Sequence, residues 1–271
     1  MSNTISPPGR RLIGVVATGV AITLGASVGR AQVTPAYAHR PPPTFSVDGQ
    51  IALHSLMSLS DGHLQKMAAV LTTLANTDVA RSCDWQTIRP HLVEAARVNV
   101  PAMLWFSMPD GAVWNVGQTQ ANIADRAYFP RLLAGQTVIG DLVVSKSTGR
   151  NTAIVAVPIL GPEHEVVGVL GASVHLDSLA AILRQEMGGL SDRLVFFAID
   201  SKGLGALNSD PALIFTEPLK LGDAGMQQAF KEMLSREDGV VTYDFRGDRR
   251  TVLYQKSPVT GWSYGFGQIQ R

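Results

Sequence analysis

The residues able to do chemistry cluster in one stretch, Asp125-Arg126-Ala127-Tyr128-Phe129, with Ser145, Lys146 and Ser173 following on later hydrophobic runs. A guanidinium such as that of Arg126 offers a planar fork of donors that matches a carboxylate in two parallel bonds. Beside Asp125 it can equally form an ion pair at a helix start, worth little when exposed. Tyr128 brings a hydroxyl able to reach a ligand, whereas Phe129 has no polar handle and suits core packing. Trp105 and Trp114, on two candidate strands, could wall a pocket or simply fill a core. Lys146 and Arg150 flank a turn, where a solvated rim is the ordinary role. This is the chemistry of holding a small molecule.

A catalytic or metal-binding constellation does not emerge from the spacing. The six histidines (His39, His54, His63, His91, His164 and His175) are scattered, with no pair at metal-site spacing on a helix or strand. Glu163-His164-Glu165 reads as a solvated hairpin turn. The sequence has no Gly-x-Ser-x-Gly elbow, no phosphate loop and no Rossmann fingerprint. Cys83, next to Asp84, has no activating neighbour and is expected to be buried. The expectation is a protein that is not an enzyme and carries no cofactor and no metal.

The elements that position these residues follow from hydrophobic period. Leu64, Met67, Ala68, Leu71, Leu74 and Ala75 recur at helical steps and predict a helix over residues 61–76, with Asp61 as its N-cap. A helical stretch over residues 51–59 precedes it, parted by a kink or break at Asp61-Gly62. Another helix starts from Asp84, with Trp85, Ile88, Leu92 and Ala96 on one face and Pro90 tolerated in its first turns. From Pro101 the period becomes strand-like. Strands over 102–107 and 112–116 surround the hairpin signal Pro109-Asp110-Gly111, and a polar loop covers 117–124. Asp125 is expected to cap a short helix that runs through Leu133 and ends at Gly135. Strands near 140–145, 152–160 and 166–174 and a helix over 176–187 complete this unit. The remainder repeats the plan: a strand over 194–199, the turn Asp200-Ser201-Lys202-Gly203, a helix over 225–234, and strands over 239–245, 251–256 and 262–268. The fold class is α+β, with long N-terminal helices followed by two similar antiparallel sheets with flanking helices.

Composition and the chain's start set the context. Arg10 and Arg11 precede an uncharged run over residues 12–28, and Gly29-Arg30-Ala31 supplies a small-residue cleavage junction. Residues 1–31 are therefore read as a signal peptide, by the general or the twin-arginine export route, with an uncleaved anchor as the alternative. Residues 32–45, with Pro41-Pro42-Pro43, are a proline-rich spacer. Hydrophobic residues at 45% suffice for a buried core, and a net charge of +1 gives no reason to expect nucleic acid. One cysteine excludes an internal disulfide. A second apolar stretch of spanning length is absent from the sequence, so an output module across a membrane is expected to belong to another protein.

Certain motifs, in order, carry a family resemblance. They are Trp105-Phe106 with Pro109-Asp110-Gly111, the Asp125–Phe129 run, Val157-Pro158-Ile159, Gly168-Val169-Leu170-Gly171, Ala198-Ile199-Asp200-Ser201-Lys202-Gly203, and Pro258-Val259-Thr260-Gly261-Trp262. Spread over roughly residues 46–268, the set resembles the double Cache family of PAS-like extracytoplasmic sensor domains, here in a stand-alone exported form. The resemblance implies N-terminal helices over residues 46–100, a membrane-distal module with the ligand pocket over 101–188, and a second module over 189–271. It places a small-molecule pocket between the Asp125 helix, the loop before it and the strands after it. Arg126, Tyr128, Trp105, Trp114, Ser145, Ser173 and Lys146 are the implied ligand-binding residues, with Arg126 gripping a ligand carboxylate. Amino-acid-binding members carry an Asp where this chain has Ser173, and a Tyr and an Asp where it has Val143 and Ser145. Without those carboxylates an ammonium is poorly held, and a small neutral or anionic metabolite fits better than an α-amino acid. The implied function is an extracytoplasmic, periplasmic sensor acting with a membrane-bound sensor or receptor partner. The alternative is an envelope structural or interaction protein that keeps the fold without a ligand.

Overall fold

The computed structural model describes residues 48–270. The expected signal peptide and proline-rich spacer lie outside the described residues. Helix α1 (Gly49–Ala75) opens with the Asp48 carboxylate accepting from the Gln50 N–H at 2.8 Å. Leu53, Leu56, Leu64, Met67 and Leu71 are fully buried along one stripe. The helix runs unbroken through Asp61-Gly62, where the sequence predicts a break with Asp61 as a cap. Asp61 instead lies mid-helix and buried, its carboxylate accepting from the Ser257 hydroxyl at 2.7 Å and from the Tyr264 hydroxyl at 3.1 Å. Tertiary packing on both sides overrides the roughly 1 kcal/mol that a glycine costs a helix.

Two short turns of chain lead on. Helix α2 (Asp78–Arg81), which the sequence does not announce, is capped by Thr77, and helix α3 (Trp85–Arg97) by Asp84, whose carboxylate accepts from the Thr87 N–H at 3.0 Å. Ile88, Leu92 and Ala95 bury its inner face. Cys83, between the two helices, is half-buried and sits at a positive φ of 52°.

The first sheet holds β1 (Ala102–Ser107), β2 (Ala112–Asn115), β3 (Gln120–Asn122), β4 (Val138–Val144), β5 (Asn151–Leu160) and β6 (Val166–His175). Its order is β3-β2-β1-β6-β5-β4, every pair antiparallel. Helix α4 (Phe129–Leu133) precedes β4, and helix α5 (Leu176–Glu186) leaves β6. The second sheet holds β7 (Leu194–Ile199), β8 (Gly205–Asn208), β9 (Asp238–Phe245), β10 (Asp248–Lys256) and β11 (Ser263–Gln270), in the order β8-β7-β11-β10-β9. Helix α6 (Ala224–Ser235), capped by Asp223, covers one of its faces. With β3 set aside, the two sheets share one spatial order: second, first, last, penultimate and third strand. The expected repeat of plan is present.

Strand alternation gives each sheet two buried faces. In the first, Leu104, Phe106, Val155, Val157, Leu170 and Ala172 join the core built on α1. Trp105, Ile154, Ala156 and Val169 point the other way, under a cover of Ile123, Tyr128, Phe129 and Leu132. The second sheet likewise sends Phe196, Ala198, Tyr264 and Phe266 toward the α1 core, and Phe197, Ile199, Tyr243 and Val252 toward α6. The two sheets also touch directly. The Trp262 indole N–H donates to the Gly140 carbonyl at 2.9 Å, where β4 is bulged between Ile139 and Asp141. Gly140 has a φ of 93°, and a Cβ there would lie 2.9 Å from that of Thr260. Only a glycine fits both demands.

Candidate functional site

The covered face of the first sheet contains a small hollow, and its geometry begins with glycine. Trp105 pairs in register with Gly171 on β6, and a Cβ on Gly171 would approach the indole to 2.1 Å. The bare glycine lets the ring lie flat on the sheet. From there the Trp105 N–H donates to the Ser173 hydroxyl at 3.2 Å, both residues being buried. Tyr128, on the loop entering α4, closes the hollow from above. Burial pushes its hydroxyl up to about 12, so the phenol stays neutral and available as a hydrogen-bond donor.

Two cations approach from the loops. The Arg126 guanidinium reaches across to the end of β4, where Nη2 donates to the Val144 carbonyl at 2.7 Å. Lys146 donates to the Asn122 carbonyl at 2.9 Å and to the Asp125 carboxylate at 2.6 Å. That contact with Lys146 holds the Asp125 carboxyl below its usual range. Asp125 is thus a partner for Lys146 and does not cap the helix, correcting the sequence expectation; α4 starts only at Phe129 and lacks a side-chain cap. Among the described residues Arg126 forms no ion pair. Lys146 is paired with Asp125, and Arg126 makes its hydrogen bond to a backbone carbonyl.

Ser145 is buried at the start of the following turn. Its hydroxyl lies 3.2 Å from that of Ser147 and accepts from the Thr148 N–H at 3.3 Å, so it shapes the turn first. The structure therefore brings Trp105, Arg126, Tyr128, Ser145, Lys146 and Ser173 around one cavity of about 30 Å³. It also brings in Asn115 and Ser147, which the sequence reading omits. Asn115 is a polar residue on the same strand face as Val113, and that alternation was the available signal. Val143, Ser145 and Ser173, where carboxylates or a phenol were expected in amino-acid binders, all line the space. Its wall contains no carboxylate.

Trp114 is not part of this wall. On β2 it alternates away from Val113, stacks on Phe106 at 6.0 Å between ring centroids, and faces an outer cleft beside α3. The expectation that it lines the ligand pocket is corrected by this strand parity. In the second sheet, the equivalent hollow is walled mainly by Phe197, Leu207, Met226, Phe230, Tyr243 and Phe245, with Arg250 at its edge. Convergent polar groups favour the first module as the site. Among the described residues, no group of three or more His, Cys, Asp or Glu side chains is placed to hold a metal ion.

Two PAS-like sheets in tandem along one long helix define the architecture of an extracytoplasmic sensor domain. The family model for the Cache domain, in its double form, matches residues 56–270, and the chain belongs to that family. No curated protein sequence matches it significantly. Among solved structures, it is similar to the extracellular ligand binding receptor from Desulfohalobium retbaense, with 12% identity and a TM-score of 0.66. That alignment covers 83% of this chain and 41% of the receptor's, so the chain spans less than half of that protein's length. The periplasmic sensory domain of the Campylobacter jejuni chemoreceptor Tlp1 aligns at 16% identity and a TM-score of 0.62, over 82% of this chain and 92% of its own. The ligand-binding domain of the Pseudomonas fluorescens chemoreceptor CtaA, solved with L-alanine, aligns at 15% and 0.59, over 82% and 94%. At these identities the likeness is one of fold. Among the described residues, no helix is long and apolar enough to cross a membrane.

Proposed function

We propose that this protein is an exported small-molecule sensor whose first module binds a small carboxylate without an ammonium group. The reading includes cleavage after Ala31 and a separate membrane-bound partner that carries the signal onward. The observation that carries the ligand class is the charge of the hollow. Two cations and no carboxylate line it, and the direct ion pair of Asp125 is with Lys146. Arg126 has donors left for a carboxylate fork, and Tyr128 and Ser173 offer hydroxyls beside it. The similar CtaA domain was solved with an α-amino acid; here an ammonium would meet Ser173, Val143 and Ser145, none of which carries charge. A cavity of about 30 Å³ is on the scale of one or two waters. A ligand therefore enters with a shift of Trp105 or Tyr128, the two side chains that close the space.

Calorimetry of the mature protein with propionate and with L-alanine tests this, since the two differ only by the ammonium group. Propionate or a close small carboxylate should bind the more tightly. Arg126→Ala should then weaken binding by about 2–5 kcal/mol. Arg150→Ala should change it by less than about 1 kcal/mol, because Arg150 is engaged at 2.7 Å by the exposed Asp177. Ser173→Asp should weaken a carboxylate further. Tighter binding of L-alanine, or equal small effects at Arg126 and Arg150, would overturn the reading. The small size of the hollow and the Trp105–Ser173 bond favour a second reading, a structural protein with a filled pocket. That reading predicts no binding by any carboxylate and no thermal stabilisation.

A further inference from the structure

A second space in the first module is far larger than the hollow and opens on the α3 side of β2, the two meeting only at Asn115. It is a cleft of about 410 Å³ between the start of α3 and the β2–β3 hairpin. Trp85, Gln86 and Arg89 line it from the helix, and Trp114, Gln118 and Gln120 line it from the hairpin. We propose that this cleft is a separate binding site for a saccharide.

Each part of the cleft is held in place by something else. Trp114 is braced by stacking on Phe106. Trp85 is the first residue of α3, fixed by the Asp84 cap. The hairpin tip is tied by Asn115, whose amide donates to the Thr119 hydroxyl at 2.7 Å and whose carbonyl oxygen accepts from the Thr119 N–H. Gln118 is held there at a φ of 62°, a strained conformation for a residue with a side chain. Among the described residues the Arg89 Nε is buried and makes no hydrogen bond, so that nitrogen does not tie the guanidinium to the protein.

The chemistry of this wall selects its guest. Indole faces are flat and apolar, matching the C–H face of a pyranose ring, and side-chain amides present a donor and an acceptor together, matching vicinal hydroxyls. Arg89 adds a fork of donors for a hydroxyl or for the carboxylate of an acidic sugar. A cationic guest would meet Arg89 and no carboxylate. A purely apolar guest would strand three glutamines and the arginine without partners. The volume falls in the usual range for small-ligand sites, roughly 300–1,000 Å³.

The test titrates the full chain with glucose, N-acetylglucosamine and glucuronate, followed by calorimetry and by tryptophan emission. At least one sugar should bind, with a change in emission as Trp85 or Trp114 is covered. Arg89→Ala and Gln118→Ala should each weaken that binding roughly tenfold or more. Both positions reach the surface, and circular dichroism with the melting temperature confirms that the variants fold; Trp85→Phe, which keeps an aromatic face, should weaken binding less than Trp85→Ala. Absence of binding by all three sugars overturns the proposal. So does binding that survives Arg89→Ala and Gln118→Ala but is lost in Arg126→Ala, which would place the sugar in the first-module hollow.

Discussion

Asp61 shows how much one side chain can depart from its apparent role. A capping residue by pattern, it is instead a buried carboxylate held by hydroxyls from a strand and a turn about two hundred residues away, Tyr264 and Ser257. Burial raises its pKa above the ordinary 3.8, and the hydrogen bonds from Ser257 and Tyr264 pull it back. Between 3.8 and that raised value the folded state binds more protons than the unfolded state, so this group's contribution to stability falls as pH rises through the window and is level above it. Tyr264→Phe removes a donor from the carboxylate and should cost about 1–3 kcal/mol at neutral pH. The deficit should shrink once the solution is acid enough to protonate Asp61 in both states. Urea denaturation of wild type and variant across pH measures both effects, and a deficit independent of pH would show that Asp61 is not the group being served. No local pattern announces such a role, because the partners that define it are brought in by the fold. Trp114 stays out of the site for a different reason: the face it presents depends on the register of β2 against β1, which sets it opposite Phe106 and away from the hollow.

At the level of elements, α1 and β3 mark the limits of local reading. Asp-Gly is a common turn signal, yet the helical period continues across residues 61 and 62. An ideal Cβ placed on Gly62 meets nothing within 4 Å, so the glycine is not required for packing. Gly62→Ala should therefore stabilise the protein by about 0.4–1 kcal/mol, read as a higher urea midpoint with an unchanged slope. A loss of stability would restore the break. Strand β3 has no readable pattern because it is only three residues long, with the small Ala121 between the polar Gln120 and Asn122; pairing with Ala112–Trp114 is what makes it a strand. The long central strands β5 and β6, the hairpin at Asp110-Gly111 and the start of α3 after Asp84 are legible in the sequence, since each rests on its own residues. The candidate site was readable to the same degree. Arg126, Tyr128 and Ser173 follow from a motif, whereas the pairing of Lys146 with Asp125 needed two loops brought together.

Across the whole molecule, the two sheets are fastened at one seam, with Trp262 on the Gly140 carbonyl and Asp61 on the second module's hydroxyls. Strand β4 is the terminal strand of the first sheet and pairs only with β5. Its free side is the kind of backbone edge that invites pairing with another chain, and the second module's Thr260 and Trp262 sit against it at the bulge. The second module is thus a shield as well as a neighbour. A fragment of residues 46–188 would lose that cover and strip Asp61 of its two partners. Such a fragment should scatter light increasingly with concentration while the full chain under the same conditions does not, and a fragment that unfolds cooperatively as a monomer would show that the edge is harmless. Proteolysis or premature termination between the modules would then release an aggregation-prone half, which the second module of this chain otherwise keeps from self-assembly.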